Sequence, residues 1–184
     1  MGHVPVAARG SLPFALLHGE PLVVVASLAL VAADVEVLDF NVTWTDLQRL
    51  GRPVVLHDPL CPLTPVPFLR SAVQSAAATG CVVVGVRPVT DTIKTATAGV
   101  VGETVDRESL WTVTSPVVLP TSVVAALRDW PDLDDVAALV STLRERFPMS
   151  FLEAPPLGRR IEDESSLVLL EAIEEEQRGG HDPA

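Results

Sequence analysis

Short apolar runs alternate with amphipathic stretches along this chain, and that alternation lays out most of its elements. Val4–Ala8 reads as a short buried strand closed by a turn at Gly10 and Pro13. The run PLVVVASLALVAA, Pro21–Ala33, follows Gly19 and Glu20 with proline in a first-turn position, which predicts a buried helix. Val35–Phe40 reads as a second strand, and Pro53–His57, PVVLH, as a third that ends at Asp58. Thr64 is placed to cap a helix through TPVPFLRSAVQSAAATG, with Gly80 as its stop, and CVVVGV follows directly as a buried strand. Farther on, the pattern predicts helices at Thr121–Trp130 and Leu133–Phe147, a short strand MSFLE, and a last helix Ser165–Arg178 capped by Asp163.

This order predicts an α/β fold: a mainly parallel, Rossmann-like sheet flanked by helices. Residues 1–178 form one expected domain, and the tail 179–184, GGHDPA, offers nothing to a core and is expected to be flexible. One stretch breaks the alternation. Between Gly85 and Trp111 lie five threonines, two aspartates, two arginines and the only lysine of the chain. PVTDTIKTA and VVGETVDR are both extended in character and TATAG can turn between them, so residues of about 88–108 read as a protruding two-stranded β-arm. A lone hairpin is marginal in water and needs a surface to lie on, which points to dimerisation through the arm.

Composition narrows the classes. With 184 residues, 48% of them hydrophobic, the chain can bury the core of one domain. Thirteen basic against 24 acidic residues give a net charge of −11, which repels a phosphate backbone and argues against nucleic acid as a partner. The acid is local: Asp132–Asp135 is one cluster, and Glu171, Glu174, Glu175 and Glu176 read as a solvated helix face. Two cysteines, Cys61 and Cys81, make no disulfide framework and lack metal spacing, so a reducing cytoplasm is expected. The Pro21–Ala33 run is shorter than the roughly 20 residues a bilayer requires, and Glu20 abutting it disfavours a secretory leader, so no membrane is expected. In open α/β sheets ligands bind outside the carboxyl ends of the strands, which makes Asp58 a candidate by position alone.

Four strings now carry a resemblance. HDPLCP (His57–Pro62), PVTDTIK (Pro88–Lys94), TVDRESLW (Thr104–Trp111) and the pair Ser115–Pro116 look like the signature blocks of the 2-C-methyl-D-erythritol 4-phosphate cytidylyltransferase family, in matching order and spacing. DLDDVAAL (Asp132–Leu139) and GRRIEDESSL (Gly158–Leu167) resemble two later blocks of that family. The resemblance implies a nucleotidyltransferase fold and a homodimer whose arms exchange, so that both subunits surround a sugar-phosphate substrate. It implies a phosphate oxygen attacking the α-phosphorus of CTP, with Mg²⁺ and basic side chains holding the developing charge.

Residue by residue the match is uneven. Asp58 falls on the aspartate of the His-Asp block, a position that also suits a metal. Thr92 falls on the arm threonine, Arg107 on the arginine that contacts substrate phosphate, and Ser115 on a threonine of the family. Simpler roles stay open: Asp58 can end a strand, and Arg107 can pair with Asp91 or Asp106 across the arm, where Thr90 and Lys94 also sit. Other positions are lost. Cys61 stands for an arginine, Leu133 for a phosphate-contacting threonine and Glu162 for the late lysine. The opening loop, VPVAARGSLPF, keeps Arg9 and Gly10 as faint echoes of a glycine-rich loop but lacks its following Pro-Lys. Only 53 residues precede Val54, and VLDFNVTWTDLQRL occupies the place of a second glycine-rich turn without its motif, so the nucleotide half reads as trimmed.

The sequence therefore predicts a family member that has lost catalysis and acts as a binding, scaffolding or regulatory protein. It would do so as a homodimer or as a heterodimer with an active relative. An alternative is a weakly active or altered enzyme using CTP and Mg²⁺, with Lys94, Arg107 and Arg159 or Arg160 replacing the lost cations. A third is a sensor that binds a sugar phosphate alone.

Overall fold

Pro5 cuts the first strand short. In the computed structural model, which describes residues 1–39, 41–90, 93–97, 100–107 and 110–179, β1 is Gly2–His3 and not the predicted Val4–Ala8. A prolyl nitrogen cannot continue the ladder, and Val6 beyond it is exposed. β1 pairs in parallel with β4 (Val54–Leu56). The predicted second strand at Val35–Phe40 is reduced to a single parallel bridge, Gly2 to Val37, because a two-residue β1 has no more edge to offer; Phe40 lies outside the described residues.

β2 (Leu16–Leu17) and β3 (Glu20–Pro21) form a small antiparallel pair. Behind it α1 (Leu22–Ala32) matches the predicted apolar helix. α2 (Trp44–Leu50) is a helix that the apolar pattern did not predict: Thr43 and Asp46 close a reciprocal capping box, and Gly51 ends it in the left-handed region. α3 (Val66–Thr79) stops at left-handed Gly80 as expected, but its cap is Pro65, since the Thr64 hydroxyl donates to the Cys61 carbonyl instead. β5 (Val82–Pro88) follows.

The arm is present as β6 (Ile93–Thr97) and β7 (Val100–Val105), paired antiparallel. It grows out of the connection between β5 and β8 (Trp111–Leu119), a nine-residue strand that the sequence reading missed. α4 (Thr121–Ala126) and α5 (Val136–Arg144) are both shorter than predicted. α5 begins only where the Asp135 carboxylate accepts from the Ala137 and Ala138 N–H groups. β9 (Met149–Glu153) is the predicted MSFLE strand. α6 (Glu164–Gly179) is preceded by Asp163, whose carboxylate accepts from the Ser166 N–H as predicted. Of the expected flexible tail, 180–184 lie outside the described residues.

The five-stranded sheet runs in the order β1-β4-β8-β5-β9. Four strands point one way and β8 runs against them, so the sheet is mainly parallel in direction but mixed in pairing. β5 and β8 form the two sides of one long hairpin with the arm at its tip, which accounts for the reversal. Alternation along the strands splits the core. Val54, Leu56, Val84 and Val117 pack on one face with residues of α2, α4 and α5, while Val55, Val83 and Val118 pack on the other with residues of α1 and α3. Leu17, Leu22, Leu60, Ile161, Leu167 and Leu170 form a third cluster that fastens α6 to the start of α1.

One glycine is required by this arrangement. The β5–β8 register shifts between Val84 and Val86, and a Cβ on Gly85 would lie 2.6 Å from the Ser115 carbonyl oxygen. The bulge brings β8 against β5 at Thr114 and Ser115, next to the end of β4.

Candidate functional site

Continuing the β4–β8 register past Leu56 and Val117 sets Asp58 opposite Ser115. The Asp58 N–H donates to Ser115 Oγ (3.1 Å), and His57 Nδ1 shares a hydrogen bond with the same oxygen. All three residues are buried. Burial pushes the His57 imidazole down to about 4, against a smaller upward pull from the Asp58 charge, so the ring is neutral. Its Nε2 finds no partner among the described residues.

The Asp58 carboxylate is fully engaged. Oδ1 accepts from Arg9 Nε at 2.9 Å and from the Leu60 N–H at 3.0 Å, and Oδ2 accepts from Arg160 Nε at 3.2 Å. The Arg9 side chain is only 2% exposed. Its fork also donates to the Ala7 carbonyl (2.7 Å) and the Leu133 carbonyl (3.1 Å). The guanidinium therefore ties the opening loop, the end of β4 and the segment before α5 into one knot, and it points inward. Two features shape the loop: Gly10 at φ +59° and Ala8 at φ +57°, the latter in a region where Cβ is unwelcome. Ala8→Gly should accordingly raise stability by about 1 kcal/mol, net of the greater freedom of the unfolded chain, as read from a urea melt. A loss on substitution would mean that the loop relaxes around alanine.

Mg²⁺ does not suit this donor set. A divalent cation wants several free carboxylate or carbonyl oxygens, but both Asp58 oxygens are taken by cations. Among the described residues no group of three or more His, Cys, Asp or Glu could hold a metal.

Beside the knot lies a cavity of about 240 Å³ lined by Arg87, Thr90, Thr112, Thr114, Arg159, Arg160 and the rim residues Glu162 and Asp163. Of the substrate candidates, Asp58 and Ser115 meet at the knot, with the Ser115 hydroxyl turned to His57 and Asp58. Arg107 is exposed and donates to the Thr90 carbonyl at 2.7 Å, holding the root of the arm. Thr92 and Asp91 lie outside the described residues, while Lys94 is exposed on β6 and Asp106 follows β7. Cys61 is fully buried, and burial first, with the Asp58 charge second, pushes its thiol far up, so it is inert. Leu133 serves through its backbone carbonyl, and Glu162 is exposed on the cavity rim.

Arg87, Thr112 and Thr114 escaped the sequence reading. Arg87 carried a signal, a charge closing a run of buried valines, whereas the two threonines had none without the strand that presents them.

Helices on both faces of a sheet whose β5–β8 hairpin carries an arm give the chain an α/β nucleotidyltransferase fold. It shares its fold with the crystal structure of 2-C-methyl-D-erythritol 4-phosphate cytidylyltransferase from Thermus thermophilus (TM-score 0.69, 22% identity, 95% of this chain and 98% of that one). The 4-diphosphocytidyl-2C-methyl-D-erythritol synthase of Anaerococcus prevotii has the same fold (TM-score 0.65, 10% identity, 95% and 97%). More narrowly, the chain belongs to the 2-C-methyl-D-erythritol 4-phosphate cytidylyltransferase (IspD) family, whose model matches residues 42–140. It is 31% identical over 134 residues to the enzyme of that name from Bacillus velezensis, covering 70% of this chain and 56% of the relative. The Syntrophotalea carbinolica protein of the same name is 32% identical over 128 residues, covering 67% and 54%. The chain thus spans about half the length of the curated relatives it matches.

Proposed function

We propose that this chain is a family member that no longer transfers a cytidylyl group and works in the cytoplasm as an oxyanion-binding, scaffolding or regulatory protein. The observation that carries this reading is the inward lock of Arg9. A triphosphate needs free N–H groups and outward fixed charge at the opening loop, and here the loop arginine is already spent on Asp58, Ala7 and Leu133. Glu162 on the cavity rim adds a negative charge that opposes a polyanion. The arm supports assembly. Among the described residues β6 and β7 pair with each other and form no extensive packing with another element, so the hairpin needs a second copy, or an active relative, to lie on.

The test adds CTP with Mg²⁺ to the purified protein. A ligand at one hundred times its dissociation constant stabilises a fold by about 2.7 kcal/mol; no shift is expected at millimolar CTP, and no pyrophosphate. Pyrophosphate release that depends on methylerythritol phosphate would establish instead a weakly active or altered cytidylyltransferase. The clustering of Arg87, Arg159 and Arg160 round one cavity favours that second reading, as do the names of the relatives. A shift with the sugar phosphate alone would mark a sensor. A native mass of one protomer at micromolar concentration would contradict the homodimer.

A further inference from the structure

The 240 Å³ cavity does not end at its arginines. Thr112, Arg160 and Glu162 also line a neighbouring cavity of about 480 Å³, whose far side carries Asp134 and Asp135. They adjoin through these shared residues as one trough, in which Arg87 and Arg159 line only the first part and Asp134 and Asp135 only the second.

At the first end stand Arg87, Arg159 and Arg160. Arg87 uses one nitrogen on the Ala154 carbonyl (2.8 Å) and Arg160 uses Nε on Asp58. Arg159 is half-buried, and its guanidinium has no hydrogen bond or ion pair among the described residues. Behind them Thr114 is 3% exposed, and its Oγ1 has no partner among those residues either. A buried hydroxyl left unpaired is unfavourable, and a ligand oxygen would satisfy it. Asp163 on this rim is tied to the Ser166 N–H. At the other end, Asp135 is partly spent on capping α5, whereas the carboxylates of Asp134 and Glu162 are exposed and pair with no cation among the described residues.

From this arrangement we infer that the trough binds a small zwitterion, a phosphate monoester at the arginine end with an amine reaching Glu162 and Asp134. The inference rests on the reading that the chain binds rather than transfers, and it names the ligand class. A nucleoside triphosphate would set negative charge against Glu162 and Asp134, and a phosphorylated neutral polyol would leave that end unanswered.

Calorimetric titration of the full chain with 3-aminopropyl phosphate and with butyl phosphate, nearly equal in size, tests it. The amine is expected to bind about fivefold tighter, the upper range for a solvent-accessible ion pair. Glu162→Lys, an exposed change checked by an unaltered melt, should reverse that preference. Arg159→Ala should weaken both ligands by about tenfold. Equal affinity for the two would overturn the zwitterion and leave the non-transferring reading standing. Binding of neither would overturn the site itself. Pyrophosphate release from CTP would instead strike the proposed function, whatever the two phosphates do.

Discussion

Asp58→Ala is expected to lower the unfolding free energy by about 3–5 kcal/mol, because it strands the buried Arg9 guanidinium without a counter-charge. Arg9 stays tied to two carbonyls, but carbonyl dipoles do not neutralise a charge whose side chain is 2% exposed. Arg160 contributes less to the loss, since its side chain is 34% exposed and can turn to water. Urea melts read the effect as a fall in midpoint at constant slope. The double variant Arg9→Met/Asp58→Leu should recover most of the loss, for an apolar pair removes both charges together. A single-variant loss below about 1 kcal/mol would mean that water reaches Arg9 when Asp58 is gone.

Acid should weaken the fold well before the carboxylates titrate. His57 has an ordinary value of 6.5 and a folded value of about 4, lowered chiefly by burial. Between these values the unfolded chain takes up a proton that the folded one refuses. Stability from this residue is therefore complete above about pH 6.5 and is lost as the pH falls, approaching about 1.4 kcal/mol per unit and reaching about 3 kcal/mol near pH 4. His3, lowered by burial and by the Arg9 charge, acts in the same direction. Melts of His57→Gln between pH 6.5 and 4.5 should show a shallower slope than the parent chain. Equal slopes would mean that the imidazole accepts its proton in place.

Much of the architecture was legible because strand and helix periods differ. α1, α3, β5, β9 and α6 stand close to where the apolar pattern puts them. β8 was not legible, and Pro116 is the reason: a proline inside WTVTSPVVL argues against an interior strand. The bulge opposite Gly85 resolves the conflict, since the ladder steps from Val86–Val113 to Val84–Val117 and leaves Pro116 unpaired. That solution depends on two strands meeting and cannot be read from either one. α2 was hidden for a similar reason: its seven residues are too few to show a period, and only its capping box and Gly51 mark it.

The site divides in the same way. The blocks single out Asp58 and Ser115, and the register brings them together. The partner of Asp58 was not found. Arg9 reaches it across 49 positions, through a loop whose course depends on a left-handed alanine that no propensity would place there. Arg160 was named only as a substitute cation for a phosphate, and its bond to Asp58 shows that the chain uses it internally as well.

The Arg9 knot also bears on how the molecule comes apart. It joins residues 49 and 124 positions distant along the chain, and closing spans of that length gains its reward only after most of the sheet has assembled. Contacts that form after the rate-limiting step govern the speed of opening rather than of closing. The guanidinium thus acts as a latch on lifetime: loosening it would shorten the residence of the native state while leaving refolding nearly as fast.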